Sequence, residues 1–297
     1  MKAIQYLTAF TVVFVTSNIN AQTASSFYGF ALDDDAGLMY GFTSPSIPNT
    51  RVALPGALTA SPDFFTANHL ATDTARNRLL YTLGGRGNTS TIVQNRIYGF
   101  MAKDIATGVV TNITNGTAMQ TTIDTSSGGA SFWNGDYYLF DDMGPEQGIV
   151  KVGFNGAGLV SSVTKPWGNN TTVGELGDIA IDFNGTMFAF TSSAQLFSFD
   201  LNNPSATFVN RGDYSSFTLN GQLMIDNQGR LITRNTASGN WLSLNPNGPG
   251  ILETITGPTG FSQYADLSEG GVVGVIPEPS SALLAALGIL GMLRRKR

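Results

Sequence analysis

Between roughly residues 27 and 270 the sequence shows no helix-period apolar segment of useful length. Instead, four short β-rich runs recur about every 40 residues, punctuated by Gly, Asn, Asp and Pro. One set runs Gly177-Asp178-Ile179-Ala180-Ile181-Asp182, a turn at Phe183-Asn184-Gly185, then Thr186 to Phe190, Gln195 to Asp200, a turn at Leu201 to Pro204, and Ala206 to Val209. The next keeps the frame with Gln222 to Asp226, a turn at Asn227-Gln228-Gly229, Arg230 to Thr233, Trp241 to Leu244 and Ile251 to Ile255.

Two earlier sets fit the same frame. One has Ala130 to Trp133, a turn at Asn134-Gly135, Tyr137 to Phe140, Gly148 to Val152 and Leu159 to Val163. The other has His69 to Asp73, Arg78 to Thr82, Arg96 to Phe100 and Val109 to Ile113. The first set, Phe27 to Ala31, Gly37 to Phe42 and Arg51 to Leu54, lacks an opening strand, and Gln263 to Leu267 has the look of the one it lacks. Pairing the two would close the sheet edges into a ring. Repeated turn residues (Asp73, Asp182, Asp226; Gly185, Gly229) are expected to cap hairpins.

This period resembles that of β-propellers. The resemblance implies an all-β fold of about five four-stranded blades closed by N- and C-terminal strands, over residues 22–271. Long segments at 55–68 and 84–95 leave room for a sixth blade, and β-sandwiches remain the alternative, since strand content alone does not separate them. The resemblance implies a fold and no activity.

Composition excludes several classes. The 297 residues are 12% charged with no Cys, so disulfides, thiolate metal sites and a Cys nucleophile are ruled out. Residues charged at the ends disguise the middle. Without Lys2, Arg294, Arg295, Lys296, Arg297 and Glu278, the body has 11 basic and 20 acidic residues, a net charge near −9. No nucleic-acid partner is expected of such a body.

Both ends read as addresses. Lys2, the apolar run Ile4 to Val15, and Ile19-Asn20-Ala21 have the order of a secretory signal peptide over 1–21. At the other end, Pro277-Glu278-Pro279 breaks the chain before Ser280 to Leu293, an Ala/Leu/Gly-rich segment, and the cluster Arg294, Arg295, Lys296, Arg297. Prolines keep the backbone before them extended. Leu and Ala favour a helix, and a basic cluster stops transfer on the cytoplasmic side. Fourteen residues span roughly 21 Å against a hydrocarbon core of ~30 Å, which by length alone makes a marginal anchor; local thinning and Arg snorkelling would close part of the gap for a transmembrane helix.

This arrangement, over 272–297, resembles the PEP-CTERM sorting signal of exported proteins in Gram-negative bacteria. The resemblance implies exosortase as a processing partner, Pro277, Glu278 and Pro279 as the processing motif, and Arg294 to Arg297 as the membrane stop. It implies residence at the cell surface or outside the cell after processing, and association with exopolysaccharide and biofilm.

The search for chemistry in the body gives little. His69 is the single His, no Gly-x-Ser-x-Gly elbow accompanies it, and it reads as a structural histidine. Gly84-Gly85-Arg86-Gly87 lacks the Lys-Ser/Thr ending of a phosphate loop. Asp33-Asp34-Asp35 and Asp141-Asp142, with Glu146, are the densest acid clusters; their oxygens suit Ca²⁺, but the spacing departs from an EF-hand and acids are common in turns. Sequons at Asn88, Asn112, Asn115, Asn169, Asn170 and Asn184 read as turn composition. No catalytic, cofactor or metal residue is therefore assigned. The expectation is a non-enzymatic binding or structural protein of the envelope or matrix. Its alternative is a secreted hydrolase or lyase working through carboxylates at one mouth of a central channel, with Asp33, Asp142 and Asp178 converging there.

Overall fold

The structure is a computed structural model that describes residues 22–33, 37–43, 51–58, 65–85, 96–115, 123, 129–141, 148–168, 176–191, 193–217, 219, 221–226, 228–235, 237–255 and 266–270. The expected signal peptide, the Pro277-Glu278-Pro279 motif, the apolar C-terminal segment and the terminal basic cluster lie outside them. Among the described residues no helix is long and apolar enough to cross a membrane.

Five separate antiparallel sheets of four strands make up the fold. Blade 2 contains β4 (Phe65–Asp73), β5 (Arg78–Gly85), β6 (Ile97–Asp104) and β7 (Val110–Asn112). Blade 3 contains β8 (Ala130–Trp133), β9 (Asp136–Asp141), β10 (Gly148–Phe154) and β11 (Val160–Gly168). Blade 4 contains β12 (Leu176–Ile181), β13 (Thr186–Thr191), β14 (Gln195–Asp200) and β15 (Val209–Asp213). Blade 5 contains β16 (Met224–Ile225), β17 (Leu231–Arg234), β18 (Trp241–Leu244) and β19 (Ile251–Ile255).

Blade 1 is made from both ends of the chain. Its strands β1 (Gly29–Asp33), β2 (Leu38–Phe42) and β3 (Arg51–Ala53) are joined by β20 (Asp266–Glu269), which pairs with β1 through Gly29↔Glu269 and Leu32↔Asp266. The ring is a five-bladed β-propeller, and separate sheets of this order exclude a sandwich. The expected closing strand shifts: it ends at Glu269 rather than Leu267.

The repeated turns explain why the blades start where they do. Asp182 Oδ1 accepts from the backbone N–H of Asn184 and Thr186, at 2.9 and 2.8 Å. Asp226 Oδ1 does the same for Gln228 and Arg230, both at 2.9 Å. Gly185 and Gly229 follow at φ 86° and 74°, a backbone region that glycine enters without steric cost.

Blades are held face to face by apolar wedges, one per interface. Phe30, Leu32, Leu70 and Tyr81 fill the wedge between blades 1 and 2, and Phe100, Tyr137, Leu139 and Val150 that between 2 and 3. Trp167, Ile179 and Phe199 fill the third, and Phe190, Tyr214, Leu223 and Leu244 the fourth. Ala31, Phe42, Trp241 and Leu267 close the fifth. Middle strands such as β13 are buried on both faces and read as near-continuous apolar runs. Fourth strands such as β15 and β19 are largely exposed.

That exposure explains a correction in blade 4. The run Ala206 to Val209 reads as the fourth strand, but Pro204–Thr207 is one helical turn, α1, and the strand begins at Val209. Pro204 suits a helix start, and Phe208 leaves the strand register to stack on Phe197 at 5.1 Å.

Candidate functional site at the propeller axis

The innermost strands β4, β8, β12, β16 and β20 surround the axis and carry the site. Asp178 on β12 and Asp266 on β20 are both fully buried and hydrogen-bonded to each other. Burial pushes both carboxyls well above the ordinary range, and for Asp178 the neighbouring Asp266 pushes further. Two carboxyls in contact in a desolvated site hold a proton between them.

Both side chains also tie blades together. Asp178 accepts from its neighbour Ile179 N–H at 2.6 Å and from Leu223 N–H of blade 5 at 2.7 Å. Asp266 accepts from Leu267 N–H at 2.8 Å and from Leu70 N–H of blade 2. Gly129 at the start of blade 3 makes room for this: a Cβ there would stand 2.7 Å from an Asp178 carboxyl oxygen.

Three residues on, Glu269 reaches across to blade 3. Its oxygens accept from Phe132 N–H at 3.0 Å, Ser268 Oγ at 3.2 Å and Ser131 Oγ at 3.4 Å. All three donors are uncharged, so desolvation dominates and the carboxyl is pushed up to about 7. Ser131 in turn accepts from Ile181 N–H of blade 4 at 3.1 Å, extending the polar ring.

His69 is buried in an irregular stretch of β4, where pairing with β5 breaks between Asn68 and Ala71. Its φ of 59° is left-handed, which turns the following Leu70 N–H out of the ladder toward Asp266. His69 Nδ1 bonds Thr82 Oγ1 at 2.6 Å, and its carbonyl accepts from the Tyr137 hydroxyl. Burial, then Asp266, raises the Tyr137 pKa well above its usual value, so this hydroxyl stays a donor.

The acids singled out from sequence divide. Strand register sets Asp33 beside Leu32, the partner of Asp266, and Asp141 at the corresponding end of β9. Both therefore lie toward the same end of the propeller as Asp178, one strand further from the axis. Asp141 is paired with Lys165 at 2.8 Å. Asp34, Asp35, Asp142 and Glu146 lie outside the described residues. Among the described residues, no group of three or more His, Asp or Glu is arranged to hold a metal ion.

Asp266 and Glu269 were not legible as site residues. The available signal was local pattern: Asp266 opens β20 and Asp178 lies near the start of β12, each followed by an apolar residue and a small one.

The body is thus a five-bladed propeller whose axis is plugged by acids. Residues 275–297 match the PEP-CTERM protein-sorting motif, and the chain carries that signal as a C-terminal addition to the propeller. The motif implies export to the cell envelope or surface and processing by exosortase. No curated protein sequence matches the chain. Among solved structures, a nidogen/laminin complex is similar at 11% identity and TM-score 0.45, covering 82% of this chain and 85% of that one. The PQQ-bound aldose sugar dehydrogenase of Streptomyces coelicolor is similar at 13% and 0.41, covering 62% and 60%. A streptogramin B lyase is similar at 13% and 0.36, covering 79% and 70%. Likenesses this distant carry no argument about activity.

Proposed function

We propose that this is an exported, exosortase-processed protein whose propeller serves as a non-enzymatic binding or structural component of the envelope or exopolysaccharide matrix. The observation that supports a scaffold over a catalyst is the use made of the axial acids. Every oxygen of Asp178 and Asp266 accepts a backbone N–H, and each side chain spans two blades. Groups so engaged hold a ring shut, whereas a carboxylate catalyst needs an oxygen turned toward substrate. The low charge of the chain and its acidic body fit display among neutral polymers.

A second reading, a carboxylate-dependent hydrolase or lyase, is favoured by the gathering of Asp33, Asp141, Asp178 and Asp266 toward one end. One experiment separates them. The full chain is expressed with its exosortase and incubated with the secreted polysaccharide. Retention of the polymer at unchanged chain length is expected. Shortening of the polymer that disappears in Asp178→Asn establishes the second reading, and no retention at all overturns the first.

The sorting role has its own test. Alanines at Pro277, Glu278 and Pro279 are expected to leave the precursor uncleaved and in the membrane fraction. Normal processing of that variant removes the role assigned to these residues.

A further inference from the structure

Away from the axis, a cleft of about 180 Å³ opens between blade 3 and the β14–β15 turn of blade 4. Ordinary small-molecule pockets run roughly 300–1,000 Å³, and a water occupies ~30 Å³, so this one suits a single ring rather than a peptide or a lipid chain. Two of the chain's three tryptophans, Trp133 and Trp167, line it with Tyr138 and Leu201.

The aromatic rings are held in place before any ligand arrives. Trp133 Nε1 donates to the Phe183 carbonyl at 3.4 Å, and its ring lies 6.5 Å from Tyr138. Trp167 packs on Phe199 at 4.7 Å. Polar groups of mixed sense stand around the cleft. Lys151, which lines the cleft, pairs with Asp136 at 2.7 Å, so a donor and an acceptor sit side by side. Asn134 and Asn202 add amides.

Trp167 and Tyr138 are nearly covered, at 8% and 4% exposure, so the half-buried Trp133 offers the accessible aromatic surface, and such a surface beside clustered donors and acceptors suits a pyranose, whose C–H face stacks on an aromatic ring while its hydroxyls bond at the edge. The charge of Lys151 is already matched by Asp136, and the body is acidic, which disfavours an anionic sugar. We propose that this cleft is a binding subsite for one pyranose residue of a neutral polysaccharide. The proposal deepens the reading of the propeller as a matrix-binding protein and rests on it for the biological source of the sugar.

The test titrates the full-length chain, in a detergent without a sugar headgroup, with the methyl glycosides of glucose, mannose, galactose and xylose. Tryptophan emission and saturation-transfer NMR are the readouts. At least one glycoside is expected to give a saturable response. Trp133→Ala and Lys151→Met, the latter at a position whose side chain is 39% exposed, are each expected to weaken it at least tenfold. Trp241→Phe, in the distant wedge between blades 5 and 1, is expected to leave it unchanged. Silence toward all four glycosides, or a response that survives both cleft variants, overturns the proposal. Polymer retention by the same chains separates it from the broader function. Retention unaffected by both variants overturns the cleft and leaves the matrix role standing. Glycoside binding without polymer retention supports the cleft and overturns the matrix role.

Discussion

Where blade 5 meets blade 1, Trp241 sets its edge against Phe42 at 5.7 Å, among Ala31, Met224, Ile232 and Leu267. One residue to either side of Leu267, β20 presents Asp266 to the axis and Ser268 to Thr72 of blade 2 at 2.8 Å. A single short strand thus serves an apolar wedge and a polar axis at once. The wedges gain from area removed from water and are indifferent to direction. The axis gains little from burial, since desolvating acids is costly, and contributes direction instead. Asp178 and Asp266 each fix which backbone N–H of the next blade they meet, and so set the rotation of one blade against another.

The largest effect is expected in the wedge. Trp241→Ala removes a 2% exposed side chain at the interface that joins the two ends of the chain. Truncations of this kind cost about 3–5 kcal/mol. Chemical denaturation should show that loss, with the five-bladed ring opening at blade 1 first and amide exchange accelerating in β20 and β1 before β12. Equal acceleration in all blades would mean that the closing wedge is no weaker than the others.

The second effect belongs to the axis and carries an unusual sign. Glu269 has a folded pKa of about 7 against 4.5 when free. Its folded state therefore binds more protons between those values, and stability falls as pH rises through them. It is fully present below pH 4.5 and lost above 7, a swing of about 3 kcal/mol at ~1.36 kcal/mol per unit. Melting temperatures from pH 4 to 8 should decline accordingly. Glu269→Gln should flatten the decline, leaving pH 4 nearly unchanged and raising the value at pH 8. A profile identical to wild type would assign the slope elsewhere.

The contrast between wedge and axis also explains what the sequence revealed. Turn signals and apolar runs repeat in every blade because each blade must bury both faces of its middle strands, so the period, the five sheets and the pairing of the two ends were all readable. Fourth strands are half exposed, so their pattern is weakly constrained, and Ala206 to Val209 was misplaced. Of the axial acids, Asp178 was placed at the channel mouth only in the carboxylate alternative, and its partners Asp266 and Glu269 were obscured for a different reason. Asp178 sits on a run that reads as strand core, and its partner Asp266 is 88 residues away. Their contact is created by ring closure, and its only local trace is the Asp-apolar-small pattern that the two strands share. The aromatic cleft was hidden in the same way, assembled from strands of blade 3 and a turn of blade 4.

The smallest effect separates the two roles of an axial acid, since Asp178 both staples a blade and shares a proton. Asp178→Ala leaves the Leu223 and Ile179 N–H groups without their acceptor and is expected to cost about 1–3 kcal/mol. Asp178→Asn keeps one acceptor oxygen and an N–H to offer Asp266, so its cost at pH 5 should be lower. The difference should then change with pH. As pH rises, holding a proton on the wild-type pair, whose carboxyls are pushed well above the ordinary range, costs more against an unfolded chain that ionises freely, and the Asn variant carries less of that cost. Its deficit relative to wild type should therefore shrink between pH 5 and pH 8, and denaturation midpoints at the two pH values measure the change. A deficit equal at both would mean that the axis is held by its N–H staples alone, with the proton between Asp178 and Asp266 contributing nothing.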